Sequence, residues 1–364
     1  MEKQIIFGGA FNPPHVEHQA VLKNAKAKIG ANKAVILPSY FPPHKNGAEM
    51  ADFCARIKMC EMAFPNDYIS DLESRIEEKS YTINTLRALK KENIDVEYYF
   101  AIGGDSMADF FKWYKPEEIL KEVTLVVYPR ESRESDCDTA IKKAKCLGGK
   151  IIKLDGIGQN ISSGELRCLC ALGQDISSFV GKDVFEYIKK QDLYKTELVD
   201  FAREKLTNKT FEHSLRTAVW ALELNRKIGL SQRLVFESAI MHDIEKNSNS
   251  QIGVPKDAIY TPIAHQYSGA ETAKLHGLED AVVNAIKYHT TAKPDMSELE
   301  MLIYSADMTE PARNFESVEE LREKLKENLK KGFIACLKRS YEYLLSQKKD
   351  IYHLTKDAYE YYLG

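Results

Sequence analysis

Residues 4–18 read Gln4-Ile5-Ile6-Phe7-Gly8-Gly9-Ala10-Phe11-Asn12-Pro13-Pro14-His15-Val16-Glu17-His18. The apolar run Ile5 to Phe7 predicts a buried strand. It runs into Gly8-Gly9, where no side chain blocks close approach to the backbone. Pro13 and Pro14 stiffen the next turn. His15 and His18 then stand three apart at a predicted helix start, a spacing that puts both on one face. The free amides of a helix start attract phosphate. Strand, glycine turn and paired histidines together make a candidate nucleotide-phosphate site. The competing reading is an ordinary strand-to-helix turn with two incidental histidines.

Outward from this stretch, residues 1 to about 195 alternate short apolar runs with helical ones. The predicted strands are Gln4–Phe7, Ala34–Leu37, Glu97–Ile102, Thr124–Tyr128 and Lys150–Leu154. Such alternation predicts a parallel α/β sheet, with ligands at the carboxyl ends of its strands. The Gly8-Gly9 turn, Pro42-Pro43-His44-Lys45, Gly103-Gly104-Asp105-Ser106 and Arg130 all follow strands. Residues 131–139 are polar and acidic and read as a loop. After Tyr194 the period changes to helical almost throughout, with amphipathic segments at Thr217–Ile228, Gln232–Met241, Gly269–Leu275 and Leu278–Tyr288. Two domains are expected, 1–195 (α/β) and 196–364 (all-α). The Lys- and Tyr-rich last thirty residues read as a solvated closing helix.

Composition sets outer limits. A chain of 364 residues suits two domains. A net charge of −3 gives no bulk attraction to nucleic acid or anionic membrane. No apolar run is long enough to span a bilayer, and the start lacks a signal-peptide pattern. Seven cysteines, an odd number without paired zinc-ligand spacing, predict reduced thiols and a cytoplasmic protein. No nucleic-acid or membrane partner is expected, and a homo-oligomer stays open.

The first motif resembles that of nucleotidyltransferases of the adenylyltransferase superfamily, whose first strand ends in a Gly-rich turn and His-x-x-His. Their second phosphate motif, Ile-Ser-Ser-Thr-x-Ile-Arg, is met by Ile161-Ser162-Ser163-Gly164-Glu165-Leu166-Arg167. Within that superfamily the chain resembles nicotinate mononucleotide adenylyltransferases, which make deamido-NAD. Pro42-Pro43-His44-Lys45 matches their Pro-Pro-His-Lys loop. Ser80-Tyr81-Thr82-Ile83-Asn84-Thr85-Leu86 matches their Ser-Tyr-Thr-x-x-Thr-Leu helix start. Gly103-Gly104-Asp105-Ser106 matches Gly-x-Asp-Ser, and Trp113-Tyr114 the aromatic pair beside the pyridine ring. Val184 to Tyr194 looks like the family's closing helix.

The resemblance implies Mg-ATP as co-substrate, with His15, His18, Lys45 and Arg167 catalytic. Gly8, Gly9, Phe11, Gly103, Asp105, Arg130, Ser162 and Ser163 would hold ATP. Tyr81, Thr82, Trp113 and Tyr114 would hold nicotinate mononucleotide. Adenylyl transfer needs little covalent help; it needs the α-phosphate in line and cations over the developing charge. Three positions depart from the pattern: Glu17 for Gly, Asn12 for Asp and Gly164 for Thr. Glu17 would repel phosphate unless it points away. These departures support an alternative, a first domain that only senses nucleotide and regulates the second.

The helical half carries His213, His242-Asp243, His265, His289 and Asp307. Imidazoles and carboxylates on facing helices suit a first-row metal pair. Adjacent His-Asp is the signature of the HD phosphohydrolase superfamily. The first metal would take His213, His242, Asp243 and Asp307, and a second would use His265 and His289. The strings His213-Ser-Leu-Arg216, Ala239-Ile-Met-His-Asp-Ile-Glu-Lys246, Ala285-Ile-Lys-Tyr-His-Thr290, Tyr304-Ser-Ala-Asp307 and Glu310-Pro-Ala-Arg313 resemble one bacterial subgroup. Its members split diadenosine tetraphosphate symmetrically into two ADP at a di-iron centre. The resemblance implies two divalent metals, iron by analogy, with Asp243 and Lys246 catalytic and Arg216 and Lys246 on outer phosphates. Alarmone hydrolases carry an acidic pair soon after His-Asp, which Glu245-Lys246-Asn247 does not supply. A dNTP phosphohydrolase stays open.

Overall fold

The computed structural model describes residues 2–40, 50–76, 81–92, 96–130, 133–156, 158 and 160–364. They divide into two compact units: one runs to Cys170 and resumes over Gln174–Tyr194, and the other takes Ala171–Gly173 and Lys195–Gly364.

The first unit carries β1 (Glu2–Gly9), α1 (Val16–Ile29), β2 (Ala34–Pro38), α2 (Phe53–Ala63), β3 (Tyr68–Ile69) and α3 (Thr82–Glu92). It continues with β4 (Val96–Gly103), α4 (Gly104–Ala108), α5 (Pro116–Glu122), β5 (Thr124–Tyr128), α6 (Glu134–Cys146) and β6 (Ile151–Lys153). Three helices follow, α7 (Ser163–Ala171), α8 (Ser177–Val180) and α9 (Lys182–Lys190). The strands form one parallel sheet in the order β3-β2-β1-β4-β5-β6. Ile5 and Ile6, on opposite sheet faces, are both fully buried because helices cover both sides. The chain direction of travel across the sheet reverses between β1 and β4. That switch point is where doubly wound sheets bind ligands, and both the Gly8-Gly9 turn and Gly103-Gly104 open onto it.

One expectation is corrected here, and one strand had no counterpart among the predicted ones. Residues 134–139 are the first turns of α6, not loop. Glu134 and Asp136 suit the positive helix start, and Cys137, Ala140, Ile141 and Ala144 make its buried stripe. β3 carries no sequence pattern long enough to be read, having two residues.

The second unit is helical: α10 (Glu197–Lys205), α11 (Asn208–Ile228), α12 (Gln232–Met241), α13 (Ala264–Leu275), α14 (Asp280–Tyr288) and α15 (Glu298–Thr309). It ends with α16 (Val318–Glu327), α17 (Leu329–Ser346) and α18 (His353–Leu363). The predicted single closing helix is therefore two, broken after Ser346 where Lys348 takes a left-handed φ of 51°. Helices α11, α12 and α15 pack on one another, and α14 packs on α12 and α15; Ile240, Ile286, Leu302 and Ile303 are fully buried. Thr207 caps α11 by accepting from the Thr210 N–H, which explains a helix longer than its amphipathic stretch. The seven cysteines are free. Among the described residues no helix is long and apolar enough to cross a membrane.

Candidate functional site

In the first unit a cavity of about 1160 Å³ opens at the switch point. Small-molecule sites run roughly 300–1,000 Å³, so this one has room for two nucleotides. His15 is the N-cap of α1, with extended backbone. Its N–H donates to His18 Nδ1 at 3.2 Å. With Nδ1 accepting, the His18 ring proton belongs on Nε2. The two rings lie 3.9 Å apart by centroid. Phe11 is buried and backs His18 at 5.0 Å. Both histidines, Gly8 and Gly9 line the cavity.

Opposite, Arg130 Nη1 donates to Asp105 Oδ2 at 2.6 Å and Nη2 to the Ile161 carbonyl at 2.9 Å. The strand end is packed so tightly that a Cβ on Gly104 would lie 2.8 Å from the Arg130 backbone nitrogen, whereas Gly103 faces open space. The stringent glycine is thus Gly104, which spacing alone did not single out. Ser162 Oγ accepts from the Glu165 N–H, and Ser163 Oγ donates to the Pro13 carbonyl. Arg167 Nη1 donates to the Asn12 carbonyl at 3.0 Å, so this arm of Arg167 braces the histidine loop. Ser162, Ser163 and Gly164 are what this segment gives to the cavity wall.

At the far end Tyr114 stacks on Tyr81, centroids 4.4 Å apart. Trp113 packs on Phe110 and edge-on to Phe100, with Thr82 at the start of α3. Asp109 accepts from Arg133 and Lys112, and these hydrogen bonds hold its carboxyl down to about 2. Glu73 accepts from the Tyr40 N–H and Thr85. Lys45 and its Pro-Pro-His-Lys loop lie outside the described residues, as does Ser80. Glu17 is buried against Gly158 and the Tyr128 ring. Burial, then the Glu17 charge, raises the Tyr128 hydroxyl. Asn12 Oδ1 accepts from the Ala51 N–H at 3.1 Å and Tyr194 at 2.9 Å, a role that a carboxylate oxygen fills equally.

In the second unit the predicted residues come together. His242 and His289 are the C-caps of α12 and α14, and Asp307 lies in the last turn of α15. Three helix C-termini, each carrying partial negative charge, meet where a cation is expected. Among the described residues, three ligand sets have donor atoms within 4.8 Å of one another: His213-His242-Asp243, His242-His289-Asp307 and Asp243-His265-His289. Asp243 Oδ1 faces His265 and His289 at 3.2 and 3.4 Å, and Oδ2 faces His242 at 3.6 Å.

The proton positions test whether a metal fits. Nδ1 of His242, His265 and His289 lies 2.7–2.8 Å from the Ala239, Pro262 and Ile286 carbonyls. A carbonyl only accepts, so each Nδ1 holds a proton and neutral rings present bare Nε2 lone pairs. Those lone pairs face each other, 3.2 Å apart between His265 and His289. Such a set is satisfied by cations. Burial pushes His242 down to about 4 and lowers His265, which keeps both as neutral ligands. Burial also opposes charge on His213, but Asp307 at 2.8 Å outweighs it and raises that ring.

Around the cluster, Lys246 Nζ lies 3.3 Å from Asp243, and Arg216 Nε donates to Glu310 at 2.8 Å. Glu245 turns away to bond Lys205, Thr272 and Ser248.

Residues 6–169 match the cytidylyltransferase-like family and residues 210–312 the HD domain. A probable nicotinate-nucleotide adenylyltransferase of Caldicellulosiruptor bescii is 35% identical over 197 residues, 53% of this chain and 99% of that protein. The chain belongs to the nicotinate-nucleotide adenylyltransferase family. Its second half is an HD domain. A probable nicotinate-nucleotide adenylyltransferase/Ap4A hydrolase of Mycoplasma genitalium is 28% identical over 361 residues, 93% of this chain and 97% of that protein. A predicted HD superfamily hydrolase involved in NAD metabolism from Clostridium acetobutylicum, solved by crystallography, is 27% identical with a TM-score of 0.44 over 46% of this chain and 95% of that one.

Against this adenylyltransferase background, sequence reasoning missed Arg56. It is 1% exposed and donates to three carbonyls, Ala10, Ser39 and Ala51. These belong to the histidine loop and to the two ends of the segment carrying Lys45. A lone Arg in an unremarked helix gives no signal of this. In the HD domain it gave no role to Glu310, Arg313 or Thr290. Arg313 Nη2 donates to Asp307 at 2.8 Å, and Thr290 Oγ1 lies 3.1 Å from His289 Nε2.

Proposed function

We propose that the chain is a bifunctional enzyme. The first domain transfers adenylyl from Mg-ATP to nicotinate mononucleotide, giving deamido-NAD and pyrophosphate. The HD domain hydrolyses diadenosine tetraphosphate symmetrically to two ADP.

The observation that carries the first activity is the pairing of His15 and His18 at the α1 start. His18 Nε2–H and the N-terminus of α1 would bind the ATP phosphates and the charge that develops on them. Lys45 would add a cation, and Ser162, Ser163 and Arg130 would close the far side. Arg167 would act through the Asn12 carbonyl. Tyr81, Thr82, Trp113 and Tyr114 would hold the pyridine nucleotide. Glu17 is buried against Gly158 and Tyr128 yet also lines the cavity, so the catalytic reading rests on the histidine pair and not on Glu17.

The HD reading rests on the facing Nε2 lone pairs and the bridging position of Asp243. His213, His242, Asp243 and Asp307 would hold one metal; Asp243, His265 and His289 would hold the other, both iron by analogy. When bound, such metals lower the pKa of a bound water and neutralise phosphoryl oxygens. Lys246, Arg216 and Arg313 rim the cluster and would grip the outer phosphates. A cytoplasmic location accords with seven free thiols.

Product analysis tests both halves. Deamido-NAD from nicotinate mononucleotide and Mg-ATP, and ADP alone from diadenosine tetraphosphate with Fe(II) or Mn(II), are the expected products. Nucleotide binding without deamido-NAD would leave a sensing first domain. ATP with AMP from diadenosine tetraphosphate would refute symmetrical cleavage.

A further inference from the structure

We infer that Glu310 sets the proton position of His213 and so makes one metal position of the HD cluster chemically distinct from the other; the inference rests on the metal reading above. His242, His265 and His289 each offer Nδ1 to a carbonyl three residues earlier in their own segment. His213 differs. Its Nδ1 faces the carboxylate of Glu310, from another helix, at 3.2 Å. A carboxylate partner draws the Nδ1 proton more strongly than a carbonyl does and leaves Nε2 a better donor to metal.

Glu310 is built to stay there. Arg216 Nε and the Ala312 N–H both donate to its Oε2 at 2.8 Å, and Arg322 holds its main-chain carbonyl at 2.8 Å. It is 2% exposed. Asp307, three residues earlier, faces His213 Nε2 at 2.8 Å, two donor atoms that a metal would hold in place of a proton. The end of α15 therefore supplies one ligand and aims another. This also gives Arg216 a task besides phosphate: it anchors the carboxylate behind His213. The position between His265 and His289 is backed by neutral carbonyls instead. The two positions should differ in affinity, and only the first should depend on Glu310.

Direct titration of the full-length protein with Mn(II), read by equilibrium dialysis with elemental analysis, tests this. The parent is expected to bind two Mn(II) per chain. Glu310→Ala should keep one site unchanged and weaken the other about a hundredfold. Glu310→Gln, which retains an acceptor for Nδ1–H without the charge, should weaken that site about tenfold. Unchanged affinities in both variants, or an equal loss at both sites, would overturn the inference. If Glu310→Ala fails to fold, Glu310→Gln decides alone, since it preserves shape; unchanged affinities there are sufficient to overturn it. A parent chain that binds no Mn(II) would instead remove the metal reading underneath.

Discussion

The Nε2 atoms of His265 and His289 face each other at 3.2 Å, while the opposite nitrogen of each ring is committed to a backbone carbonyl. Two lone pairs at that distance repel unless a cation or a donor serves them; Lys246 Nζ lies 3.3 Å from His265 and Thr290 Oγ1 3.1 Å from His289, and a bound metal would serve both nitrogens at once. Metal binding should therefore stabilise the HD domain. With free Mn(II) a hundredfold above its dissociation constant, mass action contributes about 2.7 kcal/mol. For a domain of this size that is a rise in Tm of roughly 5–10 °C. Calorimetry with and without chelator measures it, and a chelator-insensitive Tm would contradict the assignment.

Arg56 should govern the first site without touching substrate. Arg56→Met removes hydrogen bonds to three part-buried carbonyls, each worth a net of about 0.5–1.5 kcal/mol. A loss of about 1.5–4.5 kcal/mol in the first domain is expected in urea unfolding. Arg56→Lys keeps the charge but loses the planar fork. It should lower adenylyl transfer by about tenfold and leave hydrolysis of diadenosine tetraphosphate unchanged. An equal fall in both activities would mean general destabilisation.

Asp109 makes the first domain acid-sensitive. Hydrogen bonds from Arg133 and Lys112 depress its carboxyl to about 2, below the ordinary value near 3.9. A depressed folded-state value contributes stability above the unfolded-state pKa, and that contribution drains away as pH falls through the folded value. The window is therefore about pH 4 down to pH 2. Asp109→Asn should lower the urea midpoint at pH 6, and the gap to the parent should close toward pH 2. A gap independent of pH would show that packing, rather than charge, is at stake.

Local features of the fold were the legible ones. Ile5 to Phe7, the glycine turn and the His15–His18 spacing are all decided within a few residues, and the parallel sheet followed from alternation. His213, His242, Asp243, His265, His289 and Asp307 were legible as candidates that the fold brings together, because few residue types can serve as metal ligands. What stayed hidden depends on distant backbone. Arg56 is explained by carbonyls that no side-chain pattern marks. Glu310 acts on a histidine 97 residues away. The start of α6 looked like loop because its acidic residues suit solvent and a helix N-terminus equally, and only the buried stripe from Cys137 to Ala144 decides between them.

Two separate active sites are proposed to share one chain. The most direct test assays His18→Ala and Asp243→Ala for both reactions, with bound metal measured in each. His18→Ala should cut deamido-NAD formation by about 10²–10³ and leave metal content and ADP formation at parent levels. Asp243→Ala should lose metal and ADP formation and retain adenylyl transfer. A single substitution that abolished both activities in a folded protein would contradict the two-site account.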